Sequence, residues 1–269
     1  MQLHHRETYL HPGKEPHRTG SATTTTPTTV KPASSAPSKR NKHRAKKAHE
    51  CHKVLTRKQL DNSVILDFES LKDGDPMLSA TLSGAAFEQT VLNPHLKLAG
   101  DHKGLPFKAL SHYCHDLLDQ CEKHDGMIIA YSTKELTDLE RITGRRVSHR
   151  YINALTIAKK WRKRFLPDEH RQVRSFRRNV RQRRHYLGGR GNQLFDFTRL
   201  MNITPPSDYG KGCEAARLRH VTGQLSRLGD YTKLSRVAKA KWTKALKHNE
   251  FDVRALGLLC QRIVSDFGW

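Results

Sequence analysis

Short apolar runs separated by polar turns predict an α/β fold that begins near Asn62. Within Ser63–Ser70, the run Val64–Leu66 has the length and composition of a buried strand. Two further runs, Met77–Leu82 and Ala86–Leu92, lie on either side of a Ser-Gly turn and predict two more strands. Because consecutive strands joined by short turns usually pair, the three runs predict an antiparallel meander.

Helix and strand patterns alternate in the next part of the chain. Phe107–Lys123 carries apolar residues at helical spacing, and Met127–Tyr131 has the composition of a second buried strand. A short helix beginning at Ser132 and a longer helix over Ile152–Phe165 follow. This order predicts a mixed sheet, a three-strand antiparallel meander plus a parallel strand, flanked by helices. Further helices are predicted over Asn192–Met201 and over residues 213–226 and 233–266.

Two acids, Asp67 and Glu69, end the first predicted strand. Because side chains alternate across a strand, the two carboxylates share one face, where they repel each other unless a cation lies between them. Ligands of α/β sheets bind at the carboxyl ends of strands, which is where these acids would lie. The alternative is a strand that ends in solvent at Asp67, with Glu69 in the following loop.

The composition is strongly basic, with 49 Lys and Arg against 26 Asp and Glu, a formal charge of +23 and a pI of about 10.1. We expect a polyanion, nucleic acid above all, as partner, because each cation on a phosphate releases counterions. An anionic membrane surface is the second possibility. No apolar run has the about 20 residues of a membrane span, and no signal-peptide core is visible. Five dispersed cysteines favour a reducing, cytoplasmic location over secretion.

The amino-terminal part differs in composition from the rest, so residues 1–58 predict a disordered basic arm and residues 59–269 the folded domain. The arm is rich in Thr, Pro, Ser and Lys. Its part from Lys39 to Lys58 holds nine Lys and Arg and a single acid, Glu50. Such an arm adds affinity for nucleic acid or serves as a targeting segment.

Residues 159–190 combine positive charge with aromatic rings, holding thirteen Lys and Arg against Asp168 and Glu169. Cations that bind phosphates and rings that stack on bases together predict a platform for single-stranded nucleic acid. The candidate contacts are Lys160, Trp161, Arg162, Arg164, Arg174, Phe176, Arg177, Arg178, Arg181, Arg183 and Arg184. The alternative is a solvated pair of basic helices whose rings face the core.

Two acidic motifs lie at opposite ends of the predicted domain. Asp67 and Glu69 end the first strand, and His248 precedes Asp252 by four residues on the last predicted helix, where side chains at that spacing share one face. In these motifs the chain resembles the DEDD 3′–5′ exonucleases of RNase H-like fold, especially the YprB-type predicted nucleases. The resemblance covers roughly residues 62–268 and implies an RNase H-like domain.

The second motif of that family follows the fourth strand, at the start of a helix, and supplies a further acid. The corresponding stretch here is Ile129–Leu136, with Leu136 near the usual position of an aspartate. The resemblance therefore implies Glu135 as the acid, or Asp138 one helical turn later. Glu135 also suits a helix-capping role with Ser132.

The resemblance implies a metal-dependent nuclease acting on single-stranded ends, with no small-molecule cofactor. Its ligands for two Mg²⁺ or Mn²⁺ ions would be Asp67, Glu69, Glu135 or Asp138, and Asp252. Such ions prefer oxygen ligands, and a pair of them activates a water and stabilises the leaving oxygen of a phosphodiester. His248 would be the general base. The three-residue gap between His248 and Asp252 departs from the usual histidine branch of the family, so a catalytically degenerate nucleic-acid-binding module is the alternative.

A second constellation, His112, Cys114, His115, Cys121 and His124, has the residue types of a zinc site. However, Cys114 and Cys121 lie on the apolar stripe of their predicted helix, where free cysteine behaves as a small hydrophobic residue. The spacing is also wider than that of a zinc knuckle. We therefore predict buried thiols here and no zinc.

Overall fold

The protein is described from a computed structural model, which places residues 54–71, 74–180, 191–206 and 213–269. Most of the predicted arm, up to residue 53, lies outside these residues. The last part of the segment 1–58 belongs to the folded domain. Leu55 is fully buried in the core, and Thr56 caps the first helix by accepting a hydrogen bond from the Gln59 backbone.

Five strands form the sheet in the described residues, and the predicted α/β fold class, a mixed sheet flanked by helices, is confirmed. They are β1 (Ser63–Ser70), β2 (Pro76–Ser83), β3 (Ala86–Val91), β4 (Met127–Ala130) and β5 (Tyr151–Asn153). Their order in the sheet is β3-β2-β1-β4-β5. The first three strands form the predicted antiparallel meander, whereas β4 and β5 run parallel to β1.

Helices lie before, between and after these strands. They are α1 (Arg57–Asp61), α2 (Lys97–Asp101), α3 (Leu110–Lys123), α4 (Lys134–Thr143), α5 (Ala154–Phe165), α6 (Pro167–Val180), α7 (Leu194–Leu200), α8 (Glu214–Leu228) and α9 (Arg236–Phe267). Single 3₁₀ turns lie at Pro94–Leu96 and Ser148–Arg150. Within the described ranges, no helix combines the length and the apolar character needed to cross a membrane.

Strand β5 corrects one prediction, since its residues had been divided between a loop and a helix beginning at Ile152. The helix α5 begins two residues later, because the Asn153 side chain accepts a hydrogen bond from the Thr156 backbone and so caps it. Tyr151 and Ile152 are fully buried and pair with β4. A three-residue strand is too short to show the alternation of apolar and polar residues by which strands are recognised in a sequence.

The sheet separates two apolar layers, because alternate residues of each strand point to opposite faces. Ile65 and Ile129 pack with α5, α7 and the second half of α9. Leu66 and Ile128, their neighbours in sequence, pack with α3 and α4 on the other face. The fold is therefore a helix–sheet–helix sandwich.

The 32-residue helix α9 contributes to two separate cores. Near its start, Trp242 is fully buried beside α8 and donates a hydrogen bond to the Ala99 carbonyl. Further along, Val253 and Leu256 pack against the central sheet. The turn between these two stretches, which contains His248 and Asp252, is only partly buried and faces the end of β1. The packing on either side thus fixes the position of this turn.

Candidate active site

Asp67 and Glu69 lie on the same face of β1, as the strand periodicity predicts. They continue the row of Ile65, whose side chain packs under α9, whereas Leu66 and Phe68 point to the opposite face. The parallel pairing of β1 with β4 extends only to Ile65, so both acids lie beyond the paired part of the parallel sheet. This is the carboxyl edge, where ligands of such sheets bind.

Helix α9 places His248 between the acids. The His248 Nε2 atom lies 3.4 Å from the Asp252 Oδ2 atom and 3.9 Å from the Glu69 Oε1 atom. Glu69 and Asp252, 183 positions apart in the sequence numbering, are therefore brought to one imidazole. Ligand atoms of Glu69, His248 and Asp252 all lie within 4.8 Å of one another, a geometry that could hold a metal ion.

A cavity of about 350 Å³ opens beside this group. Its polar wall contains Asp67, Glu135, Glu214, His248 and Asp252. The remaining wall is formed by Tyr131, Ser132, Asn192, Gln193, Leu194, Phe195 and Leu256. The lining thus combines acidic side chains with apolar and uncharged polar ones, as expected of a site that orients a ligand by a few polar groups.

The structure distinguishes the two candidates for the second motif. Glu135 lines the cavity and is nearly buried, and its Oε2 atom accepts a hydrogen bond of 2.9 Å from the Ser132 hydroxyl. Asp138 bonds instead to Lys134 at 2.8 Å and to Arg141 at 3.2 Å. The Asp138 carboxylate is already paired with two basic side chains. Glu135 is therefore the acid of α4 that lines the cavity.

Glu214 was missed by the sequence analysis. It is the first residue of α8, nearly buried, and its Oε1 atom lies 3.3 Å from the Nδ1 atom of His248. The Arg217 guanidinium one turn later bonds to the same carboxylate. An acid in the first turn of a helix is common, since it interacts favourably with the helix dipole. The sequence therefore held no signal that this acid faces a site.

Asn249 was missed as well. Its Nδ2 atom donates a 2.7 Å hydrogen bond to the Asp67 Oδ2 atom, and its Oδ1 atom accepts one of 3.2 Å from the Gln89 side chain. The Gln89 amide also donates to the Leu246 carbonyl, which fixes its orientation. Asn249 is fully buried, so its fixed amide holds the Asp67 carboxylate in place. A single asparagine in a helix carries no pattern that predicts this.

Burial dominates the electrostatics of the cavity. It raises the pKa of Asp67 to about 7, with the neighbouring Glu135 adding to the effect. Burial likewise raises the pKa of Glu69 well above its ordinary range, and the charges of Asp67 and Asp252 raise it further. The pKa of Glu135 is also raised by burial. Burial lowers the pKa of His248, although the nearby Glu214 acts in the opposite direction.

These acids have the chemistry of ligands for a divalent cation. The described residues place no lysine or arginine within ion-pair distance of Asp67, Glu69 or Glu135. Carboxylates buried close together are costly unless a cation compensates them. Oxygen donors in this number suit Mg²⁺ or Mn²⁺, so the residues present fit the ions that the resemblance implies.

The basic segment is only partly exposed, which corrects two of its predicted contacts. Trp161 is 2% exposed and donates a 2.7 Å hydrogen bond to Asp266. Arg162 is buried too, and its guanidinium bonds to the Gly191 carbonyl and the Asn192 side chain. Both residues support the core because their face of α5 packs under α9 and α7.

The other predicted contacts of this segment fall into two groups. Lys160, Arg164 and Arg174 are exposed on α5 and α6, as a nucleic-acid surface requires. The remaining residues lie outside the residues, or the side chains, that the structure describes: Phe176, Arg177, Arg178, Arg181, Arg183 and Arg184.

The histidine and cysteine constellation on α3 has the predicted buried thiols. Cys114 and Cys121 pack beside Leu117 in the apolar layer on the far face of the sheet. Burial raises the pKa of Cys114 to about 12 and that of Cys121 to about 11, which disfavours the thiolate that binds zinc. His112 points to Asp116, 3.6 Å away on the exposed side of the helix.

Comparison of the chain with protein-family models, with curated proteins and with solved structures finds no match. The function is therefore inferred from the site itself.

Proposed function

We propose that this protein is a metal-dependent phosphodiesterase of the 3′–5′ exonuclease type that acts on single-stranded ends of nucleic acid. The observation that carries the proposal is the convergence of acids from β1, α4, α8 and α9 on one cavity at the carboxyl edge of the sheet. Asp67, Glu69 and Glu135, which among the described residues have no lysine or arginine at ion-pair distance, suit a substrate bound through cations.

The chemistry rests on the acids and their supports. Mg²⁺ or Mn²⁺ ions, when bound, would activate a water and stabilise the leaving oxygen of a phosphodiester. Asp67, Glu69, Glu135 and Asp252 would hold the ions. Asn249 keeps the Asp67 carboxylate in one orientation, so that less conformational freedom is lost when a ligand binds.

The size and surroundings of the cavity favour the end of a single strand. A volume of about 350 Å³ is at the lower end of the range of about 300–1,000 Å³ for pockets that bind one small ligand. The wall of the cavity includes Phe195, an aromatic side chain of the kind on which bases stack. Asn192 in the same wall is held by Arg162 and Tyr131, and the exposed cations of α5 lie on the same helix as Arg162.

The cysteines favour an intracellular setting for this activity. Cys114, Cys121 and Cys260 are buried as thiols, which a reducing cytoplasm preserves.

The test uses the full chain and labelled oligonucleotides. Single-stranded DNA and RNA, with a free or a blocked 3′ end, are incubated with Mg²⁺ or Mn²⁺, and the products are separated by length. The proposal expects stepwise shortening of the strands with a free 3′ end, and loss of this activity on addition of a chelator. Asp67→Asn is the negative control, and Glu250→Gln, outside the cavity, is the matched acid-to-amide variant.

Two outcomes would contradict the proposal. Products that are unaffected by a block at the 3′ end would exclude the exonuclease type. Binding of the oligonucleotides without any cleavage would favour the alternative, a degenerate nucleic-acid-binding module.

A further inference from the structure

Glu214, the acid that the sequence analysis missed, lies beside His248 and not in the row of metal-binding carboxylates. Its Oε1 atom is 3.3 Å from the Nδ1 atom of His248, and the Arg217 guanidinium bonds to the same Oε1 atom. Both Glu214 and Arg217 are about 90% buried. The three side chains thus form a buried chain from guanidinium to carboxylate to imidazole.

This chain determines which ring nitrogen faces the cavity. Both ring nitrogens face carboxylates, since Nδ1 is 3.3 Å from Glu214 and Nε2 is 3.4 Å from Asp252. Because Arg217 fixes the Glu214 carboxylate as an acceptor, we assign the ring proton to Nδ1. The Nε2 atom then offers its lone pair to the other side, where Asp252 lies 3.4 Å and Glu69 3.9 Å away. A lone pair beside two carboxylates is unfavourable unless a cation lies among them.

We infer that Glu69, His248 and Asp252 form a mixed nitrogen–oxygen site that binds a divalent transition ion such as Mn²⁺ or Co²⁺ in preference to Mg²⁺, with Glu214 and Arg217 as positioning residues. The role of this site in catalysis rests on the proposed function, but its ion binding is measurable without any substrate. His248 then holds an ion through Nε2, in place of the general-base role that the resemblance implies.

The combination of one imidazole nitrogen with carboxylate oxygens determines which metal ion the site prefers. Mg²⁺ strongly prefers oxygen ligands, whereas imidazole nitrogen is a good ligand for transition ions. A metal-binding histidine commonly donates its other ring N–H to a carboxylate, which fixes the ring and strengthens the ligand. Glu214 has this relation to His248, and Arg217 keeps the carboxylate from turning away.

The experiment compares ion binding by variants of the full chain after the ions are removed with a chelator. Co²⁺ serves as the probe because its visible absorption changes when nitrogen becomes a ligand. Calorimetry measures the affinities of Co²⁺, Mn²⁺ and Mg²⁺. The variants are His248→Gln, Glu214→Gln and the control Glu250→Gln, whose carboxylate binds Arg254 on an exposed part of α9.

We expect Co²⁺ and Mn²⁺ to bind more tightly than Mg²⁺ to the unsubstituted chain. His248→Gln should remove the nitrogen-dependent absorption and most of the Co²⁺ affinity. Glu214→Gln should keep the absorption but weaken Co²⁺ binding by about 10- to 100-fold, the usual effect of removing the partner of a ligating histidine. Glu250→Gln should bind like the unsubstituted chain.

Circular dichroism of the ion-free variants checks that each is folded, and Glu214→Gln gives a second result if His248→Gln is not. Co²⁺ affinity that is the same in both variants as in the unsubstituted chain would overturn the inference. Equal affinities for Mg²⁺ and Co²⁺ would also overturn it, since a protonated His248 paired with the acids would then account for the geometry.

The failure of this inference is distinguishable from that of the proposed function. If Co²⁺ binds as expected but no oligonucleotide is cleaved, the ion site stands and the nuclease proposal fails. If cleavage occurs and Co²⁺ binding does not depend on His248, the nuclease proposal stands and the mixed site fails.

Discussion

Three acids at the cavity, Asp67, Glu69 and Glu135, differ in their surroundings from acids elsewhere on the domain. Outside the cavity, Asp138 bonds to both Lys134 and Arg141, and Glu250 bonds to Arg254. Such pairs are unsurprising in a chain with 49 Lys and Arg against 26 Asp and Glu. At the cavity, Glu135 is buried and Asp67 and Glu69 are partly buried, and none of the three has a lysine or arginine at ion-pair distance among the described residues.

The presence or absence of a basic partner distinguishes acids that stabilise the fold from acids that are candidates for binding a ligand. A buried carboxylate without a counter-ion destabilises the protein, and the raised pKa values of the three cavity acids express that cost. A surplus of basic residues would supply partners if stability alone determined the arrangement. This difference supports the proposal that the cavity binds an external cation.

The largest expected effect is that of Asp67→Asn. Cleavage should fall below detection, because a neutral amide replaces an ionised ligand. The ion-free variant should unfold at a higher temperature than the unsubstituted chain at about pH 8, because a buried charge has been removed. The amide oxygen of the substituted side chain can still accept the Asn249 hydrogen bond. Oligonucleotide cleavage and thermal unfolding measure the two effects; cleavage at the normal rate, or a lower unfolding temperature, would contradict the comparison.

A matched pair on α4 tests the comparison at one helix. Glu135→Gln should abolish cleavage, because it alters a carboxylate in the cavity wall. Asp138→Asn should leave cleavage intact but lower the free energy of unfolding by about 1.5–3 kcal/mol, because the buried Asp138 side chain loses its charge-assisted bonds to Lys134 and Arg141. Cleavage rates and denaturant unfolding measure both. Loss of cleavage in Asp138→Asn but not in Glu135→Gln would show that the acid of the second motif is Asp138, one helical turn later.

The ion-free protein should lose stability as pH rises through neutrality. The pKa of Asp67 is about 7 in the folded state against an ordinary value of 3.8, so its stabilising effect on the folded form is lost progressively between these pH values and is absent above them. Glu69 and Glu135 act in the same direction. The pKa of His248 is lowered from 6.5, an opposite effect that is confined to pH values below 6.5.

Thermal unfolding from pH 6.5 upward therefore isolates the acids. Mn²⁺ should raise the unfolding temperature more at about pH 8 than at about pH 6, since binding then displaces fewer protons from the acids. A stability that does not change over this range, with or without Mn²⁺, would mean that the cavity acids have ordinary pKa values.

The smallest expected effect concerns the exposed cations Lys160, Arg164 and Arg174. Replacing all three with Gln should weaken binding to a single strand and reduce the slope of log K against log salt by about 0.7 for each lost phosphate contact. Cation-dependent cleavage at saturating substrate should be unchanged, because these side chains do not line the cavity. Fluorescence anisotropy at several salt concentrations measures the slope.

The control replaces three exposed basic residues near the junction of α8 and α9, Arg227, Lys233 and Arg236. Equal reductions of the slope in the two triple variants would show that binding depends on the overall charge and not on the surface of α5 and α6.

The sequence by itself determined the parts of the site that follow from local periodicity. A strand alternates with a period of two residues, so Asp67 and Glu69 had to share a face once β1 was recognised. A helix brings residues four apart to one side, so His248 and Asp252 had to converge. The order of apolar runs likewise predicted the mixed sheet, except for β5, and its flanking helices.

Only the tertiary structure decided which of several candidate residues, equivalent by local sequence pattern, faces the cavity. Glu135 and Asp138 lie on one short helix, and the cations around Asp138 distinguish them. Trp161 lay in a segment that suited a binding surface, yet its face of α5 packs inside. Asn249 meets Asp67 across 182 residues of sequence. Such contacts depend on how the elements pack together, and no local pattern records them.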